Sequence, residues 1–259
     1  MFVAGVDIGS LWSKAVILKN ESDKGKICAQ AVKPTGMRAQ ESADAVLNEA
    51  LKDASLSRID IEKTVATGYG RVIIPWATRT ITEITCHAKG IYWLMPSVRT
   101  LVDIGGQDTK TISVDKDGNV KNFLMNDKCA AGTGRFIEVI AGAVGVSLEE
   151  IGPMALQATE KAHISSLCTV FAESEAISLV SQGVPVPNII AGIFEAISDR
   201  VSNMLSRMRC EEEYALSGGT ALNIGVVTAL EEKIGHKLLL ADDPRTVGAL
   251  GAALIALSL

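Results

Sequence analysis

The chain has 259 residues, 47% of them hydrophobic and 21% charged, enough apolar material for one large domain or two modest ones. Its net charge of -5 comes with no basic block, which argues against nucleic acid or an anionic membrane as partner. The longest strongly apolar stretches, such as Val247 to Leu259, fall short of the ~20 residues that cross a bilayer.

Met1-Phe2-Val3 carries no basic leader and reads directly as a strand, so no signal peptide is expected and the cytoplasm is the default compartment. Cys28, Cys86, Cys129, Cys168 and Cys210 are an odd set at wide spacing without Cys-x-x-Cys. That pattern suits neither a disulfide framework nor a zinc site within one chain.

The first strand ends in Asp7-Ile8-Gly9, and a turn leads to a second strand at Ala15 to Leu18 and a third at Ile27 to Val32. Ser42 to Ala54 predicts an amphipathic helix, with Ala43, Val46, Leu47, Ala50 and Leu51 on one face. Ile61 to Thr67 reads as a strand closed by Gly68-Tyr69-Gly70, and Glu83 to Leu94 as a helix. A boundary is expected near Pro96 to Thr100. The opening pattern then recurs: Val102-Asp103-Ile104-Gly105-Gly106, a strand at Thr111 to Val114, and another at Val120 to Met125. The spacing from Asp7 to Asp103 is 96 residues, as it is from Lys14 to Lys110. Helices are predicted at Gly134 to Val144, Val170 to Gln182 and Asn188 to Met208. Tyr214 to Leu216 reads as a short buried strand running into Gly218-Gly219. A helix at Ala221 to Ile234, a strand at Lys237 to Leu240 and a closing helix from Thr246 complete the chain. The repeat implies two similar α/β domains, 1–98 with 243–259 and 99–242, the last helix returning to the first.

Glycine after a buried aspartate permits close backbone approach, and successive N–H groups in such a turn form an anion-binding concavity. Carboxylates there hold Mg²⁺ through water, because that ion keeps much of its hydration shell. One Asp-x-Gly reads as an ordinary hairpin; two at equal spacing point to phosphate. Leu216-Ser217-Gly218-Gly219-Thr220 adds a strand-to-helix turn whose helix N-terminus attracts negative charge. Gly248 and Gly251 read as close helix packing.

This order of elements is similar to the actin, sugar-kinase and heat-shock chaperone superfamily, a duplicated actin-like (ribonuclease H-like) two-domain ATPase fold. The resemblance implies that ATP or ADP binds between two hairpin loops, Gly9, Ser10, Leu11, Trp12, Ser13 and Lys14 lining one and Gly105, Gly106 and Gln107 the other. It implies that Asp7 and Asp103 organise Mg²⁺, that Gln107 or Asp108 positions the attacking water, and that Gly218 and Gly219 lie against the adenosine. Lys14 and Lys110 read equally as phosphate contacts or solvated strand ends.

Within that superfamily the whole chain resembles the activators of 2-hydroxyacyl-CoA dehydratases, related to ATPase subunits of benzoyl-CoA reductase. The carrying motifs are Ala66-Thr67-Gly68-Tyr69-Gly70-Arg71, Asp103 to Asp108, Asn126 to Phe136 and Cys168-Thr169-Val170-Phe171-Ala172-Glu173-Ser174-Glu175. The resemblance implies a homodimer whose Cys129 and Cys168, two from each copy, bind one 4Fe-4S cluster. It also implies reduced ferredoxin or flavodoxin as donor and an iron–sulfur dehydratase or reductase of anaerobic metabolism as acceptor. Four thiolates suit a cubane cluster, and a two-fold axis supplies four from two. Cys129 and Cys168, the latter after Ser165-Ser166, are both read at helix starts, where partial positive charge favours thiolates.

Cys28 and Cys86 read as packing, Cys210 as following a helix, and His163 as a polar loop residue. Trp76 and Trp93 read as core or interface. Leu11-Trp12 replaces small residues usual in the family, and Asp242 to Val247 replaces a glutamine-containing stretch, leaving Arg245 as candidate adenine contact. Two rivals share the fold: a small-molecule kinase without a cluster, and an actin-like scaffold.

Overall fold

The computed structural model describes residues 1–21, 24–165 and 168–259, so Ser166 lies outside the described residues. The first sheet contains β1 (Phe2–Ile8), β2 (Trp12–Glu21), β3 (Lys24–Pro34), β4 (Ile61–Thr67) and β5 (Arg79–Thr80), in the order β3-β2-β1-β4-β5. β1 pairs antiparallel with β2 and parallel with β4. The second sheet contains β6 (Thr100–Ile104), β7 (Thr109–Val114), β8 (Val120–Asn126), β9 (Tyr214–Ser217) and β10 (Leu238–Leu240), in the order β10-β9-β6-β7-β8. Read from its hairpin side, this order repeats that of the first sheet, so the duplication extends from motif to topology.

Eight α-helices accompany the strands among the described residues: α1 (Ala39–Asp53), α2 (Glu83–Leu94), α3 (Gly134–Val144), α4 (Leu148–Ala155), α5 (Thr169–Ser181), α6 (Val186–Leu205), α7 (Ile224–Ile234) and α8 (Val247–Leu257). The apolar positions expected on α1 are all buried, under one face of the first sheet with Val6, Ile8 and Ile17. The other face, through Val3, Val16 and Val65, packs on α8 residues Ala249, Ala252 and Ala253. α8 comes very close to α2, since a Cβ on Gly251 would lie 1.7 Å from the Cys86 carbonyl oxygen. Val102, Ile104, Phe136, Ile140, Ile193, Phe194 and Ile197 anchor a separate core.

The chain divides into two compact units, residues 1–101, 112–122 and 241–259 in one and 102–111 and 123–240 in the other. α4 was not expected from the sequence. Gly152 and Pro153 weaken its helical pattern, yet Ser147 and Glu150 form a reciprocal cap that starts it.

Candidate functional site

The two Asp-x-Gly turns have the same backbone closure. The Gly9 N–H donates to the Trp12 carbonyl at 3.1 Å, and the Gly105 N–H to the Asp108 carbonyl at 2.9 Å. Each turn exposes its tip while burying the aspartate that precedes it: Asp7 and Asp103 are both 3% exposed.

In the first turn, Asp7 and Lys14 face each other across β1 and β2, and Lys14 Nζ lies 3.0 Å from Asp7 Oδ2. A second support comes from the Thr35 hydroxyl, which donates to the Gly9 carbonyl at 2.9 Å and lies 2.8 Å from Ser13 Oγ. Ser10 and Leu11 are half-buried at the tip and Trp12 is exposed beside them. Gly68 follows β4 with φ +82, and a Cβ there would lie 2.4 Å from Asp7 Oδ1 and 2.5 Å from the Ile8 carbonyl. Only glycine combines this backbone with that approach.

The second turn is more deeply held. Lys110, 2% exposed, lies 3.1 Å from Asp103 Oδ2 and 2.8 Å from Asp108 Oδ2. Asp108 Oδ2 makes no hydrogen bond of acceptable angle among the described residues, so that contact is primarily electrostatic. The Ser217 hydroxyl donates to Asp103 Oδ1 at 2.8 Å, and the Thr220 hydroxyl to the Ile104 carbonyl at 3.1 Å. Gly218, φ +89, repeats the geometry of Gly68, its absent Cβ 2.2 Å from the Ile104 carbonyl. Gly219 opens a short 3₁₀ turn. Gln107 is exposed at the tip and Asp108 is buried. Neither Lys14 nor Lys110 is therefore a solvated strand end.

Sequence reasoning placed Gly68 at a strand end and Ser217 and Thr220 in the Gly218-Gly219 turn without giving them a role toward the Asp-x-Gly turns, and it passed over Thr35. The pairs Thr67-Gly68 and Ser217-Gly218, each at the end of a strand, carry the signal that was overlooked.

The cysteine segments both belong to the second unit. Cys129 is half-buried, and its carbonyl accepts from Asn126 Nδ2 at 2.8 Å. It does not begin a helix, contrary to the sequence expectation: α3 starts at Gly134, preceded by Thr133 in extended conformation. The intervening turn is closed by the Thr133 hydroxyl donating to the Ala130 carbonyl at 2.6 Å, and it needs Gly132 at φ +83. Cys168 is exposed at the N-cap position of α5, as expected. Glu175, two turns into α5, accepts from the Ser165 N–H at 2.9 Å and so ties the preceding segment to the helix.

Two buried polar atoms beside these segments have no hydrogen-bond partner among the described residues: Thr169 Oγ1, next to Cys168, and Arg200 Nε. Arg200 packs its stem under the Cys129 turn, its Cδ 3.0 Å from where a Cβ on Gly132 would stand. α3 and α5 pack on each other, yet α5 buries only Ala172 and Ala176 and leaves Val170 and Phe171 about two-thirds exposed, at 66% and 65%.

The remaining cysteines divide by environment. Cys86 is buried in the core, and desolvation pushes its thiol up to about 12 against a weaker opposing hydrogen bond with Thr67. It is an inert neutral thiol. Cys210 Sγ contacts the Leu205 carbonyl at 3.3 Å. Cys28 is exposed on β3 rather than packed, because that strand turns the residue outward. Trp76 packs at the edge of the first core with the Arg58 guanidinium 4.2 Å above its ring, and His163 is exposed in a loop.

Arg245 forms a two-pronged pair with Asp243, Nε to Oδ1 and Nη2 to Oδ2, both at 2.8 Å. Burial pushes the Asp243 carboxyl up, but the Arg245 fork and the field of Lys14 outweigh it and hold the group below its ordinary range. Arg245 is thus spoken for by its neighbour, and it is Asp243, within the field of Lys14, that relates the pair to the first turn.

Comparison with known proteins agrees with this fold. A profile of the BadF/BadG/BcrA/BcrD ATPase family matches residues 4–256. The activator of lactoyl-CoA dehydratase from Anaerotignum propionicum is 47% identical over 99% of this chain and 97% of its own. Among solved structures, the activator of the 2-hydroxyisocaproyl-CoA dehydratase from Clostridium difficile, with bound ADPNP, has a TM-score of 0.94. It is 42% identical and covers 100% of this chain and 95% of its own. Component A of the (R)-2-hydroxyglutaryl-CoA dehydratase from Acidaminococcus fermentans also gives 0.94, at 39% identity over 100% and 98% of the two chains.

Proposed function

The chain belongs to the BadF/BadG/BcrA/BcrD ATPase family, and from that membership we propose that it is an ATP-dependent activator. Its role is to deliver low-potential electrons to an iron–sulfur enzyme such as a 2-hydroxyacyl-CoA dehydratase or a related reductase. The observation that carries the reading is the pair of Asp-x-Gly turns with one closure, the second hydrogen-bonded to a segment that presents a cysteine.

The proposed phosphate contacts are the backbone of residues 9–14 and 105–107, in two domains taken as 1–98 with 243–259 and 99–242. Asp7 and Asp103 are proposed to hold Mg²⁺ through its waters, which oxygen donors of this kind suit. Their lysine partners keep both carboxylates oriented before nucleotide arrives. Gln107, exposed at the tip, is the better candidate to orient the attacking water, because Asp108 is already engaged by Lys110. Gly218 and Gly219 are the proposed adenosine platform.

Cys129 and Cys168 are proposed to hold a 4Fe-4S cluster together with the same residues of a second copy; when bound, that cluster supplies the one-electron carrier. The residues present fit such a group. Two accessible thiols are available, Thr169 Oγ1 and Arg200 Nε lie beside their segments without hydrogen-bond partners among the described residues, and the exposed apolar face of α5 supports a homodimer. Reduced ferredoxin or flavodoxin is the proposed donor. The proposed setting is the cytoplasm, and no helix among the described residues is long and apolar enough to cross a membrane.

The test is anaerobic purification with iron and sulfide analysis. About four irons per dimer are expected, lost in Cys129→Ala and in Cys168→Ala. Full iron in both variants would refute the ligation, and iron-free protein that phosphorylates a hydroxyl compound would favour a small-molecule kinase instead.

A further inference from the structure

The two Asp-x-Gly turns close alike but are pinned to different places. In the first, the Ser13 hydroxyl meets Thr35, whose own hydroxyl holds the Gly9 carbonyl, so the turn is fastened to the end of β3. Thr109 stands 96 residues after Ser13, at the same place in the repeat. Its hydroxyl is fully buried and donates at 2.7 Å to the carbonyl of Gly132, in the turn that follows Cys129. The carbonyl of Gly105, counterpart of Gly9, accepts from the Gly134 N–H at 2.9 Å, and that of Gly106 from the Arg135 N–H at 2.8 Å. Three hydrogen bonds therefore run from residues 105–109 to residues 132–135.

The planarity of the peptide bond makes this arrangement directional. The Gly105 carbonyl shares one rigid plane with the Gly106 N–H, and the Gly106 carbonyl shares one with the Gln107 N–H. These N–H groups are the donors proposed for phosphate. Any rotation of those planes as phosphate arrives or leaves must move the carbonyls that the start of α3 grips. Hydrogen bonds in series also polarise one another, so an anion on one side strengthens the bonds on the other.

We propose that Thr109 is a positioning residue that transmits the nucleotide state of the Asp103 turn to the Cys129 segment. The proposal deepens the function above and rests on its reading of residues 105–107 as a phosphate loop. The two α3 amides act through backbone and are common to any side chain there. Thr109 supplies a side-chain tie, and it fastens Gly132, whose φ of +83 makes it the natural pivot of the Cys129 turn.

The experiment uses iron-free protein and follows alkylation of Cys129 by peptide mass, without nucleotide and with Mg²⁺ and ADPNP. Wild type is expected to change rate by about fivefold or more, the lower range of coupling between sites. Thr109→Val should bind ADPNP as wild type does but lose that change, and Thr109→Ser should restore it. The proposal is overturned by a wild-type rate indifferent to nucleotide, by a T109V rate that still responds in full, or by T109S failing as T109V does. Should T109V not fold, hydrogen exchange at the Gly134 and Arg135 amides of wild type decides: slower exchange with ADPNP supports the link, and equal rates refute it. Absence of iron from anaerobic wild type would sink the electron-donor reading while leaving the thiol result standing, so the two failures are separable.

Discussion

Lys110 sits between two carboxylates with 2% of its side chain exposed, while Lys14, its counterpart, keeps 16% and serves one. Removing a buried cation strands the charges it served, so Lys110→Met should cost about 3–5 kcal/mol of stability. Lys14→Met strands one buried carboxylate instead of two, beside a lysine that keeps some contact with water, and should cost less. Urea midpoints of the two variants check the ordering; equal losses would mean that Asp103 and Asp108 find other partners. The aspartates and glycines of these turns were legible in the sequence because their spacing repeats. The weight on Lys110 was not, since nothing in Asp108-Thr109-Lys110 tells that the chain folds Asp108 back onto the lysine. The same limit applies to Arg245, whose fork to Asp243 is a local contact that a scan for nucleotide ligands does not anticipate.

Helix identity followed from periodicity, whereas helix ends followed from capping chemistry that periodicity ignores. α2 and α3 matched their expected spans because apolar spacing runs to their very ends; α4 was missed because Gly152-Pro153 interrupts its pattern. Cys129 was read at a helix start, although α3 itself was expected only from Gly134. The hydroxyl of Thr133 closes the turn between them, so the helix begins five residues after the cysteine. Gly251 was read as close packing, and the structure gives that reading its severity. A side chain there meets the Cys86 carbonyl, a backbone atom that cannot swing aside. Gly251→Val should therefore push α8 off α2 and cost about 3 kcal/mol or more, whereas Gly235→Ala, in open space at a helix end, meets no atom and costs only the strain of its φ of +73, about 1 kcal/mol. Thermal melts of both variants test this, and a G251V protein as stable as wild type would mean that α8 docks loosely.

At the scale of the whole molecule, the 96-residue repeat announced two α/β sheets, and the matching strand orders around β1 and β6 are that repeat in three dimensions. What a single chain's sequence conveys less well is which surface awaits another copy, because exposed apolar residues look like core residues until the fold is known. Val170 and Phe171 illustrate the point. At the first turn of α5 they were indistinguishable from buried positions, yet they stand exposed immediately after Cys168. An apolar pair held in water beside a proposed cluster ligand is stabilised by burial against a partner, at about 25 cal/mol for each Å² removed from water. If α5 forms the homodimer seam, Val170→Glu with Phe171→Glu places like charges against each other across the two-fold axis. The double variant should elute as a monomer, lose most of its iron after anaerobic purification, and still bind ADPNP, since both side chains stand about two-thirds exposed and neither is among the proposed phosphate contacts. Sedimentation, iron analysis and nucleotide titration on one preparation measure all three. A dimeric, iron-replete double variant would place the seam elsewhere on the molecule and require a different face to bring the four thiols together.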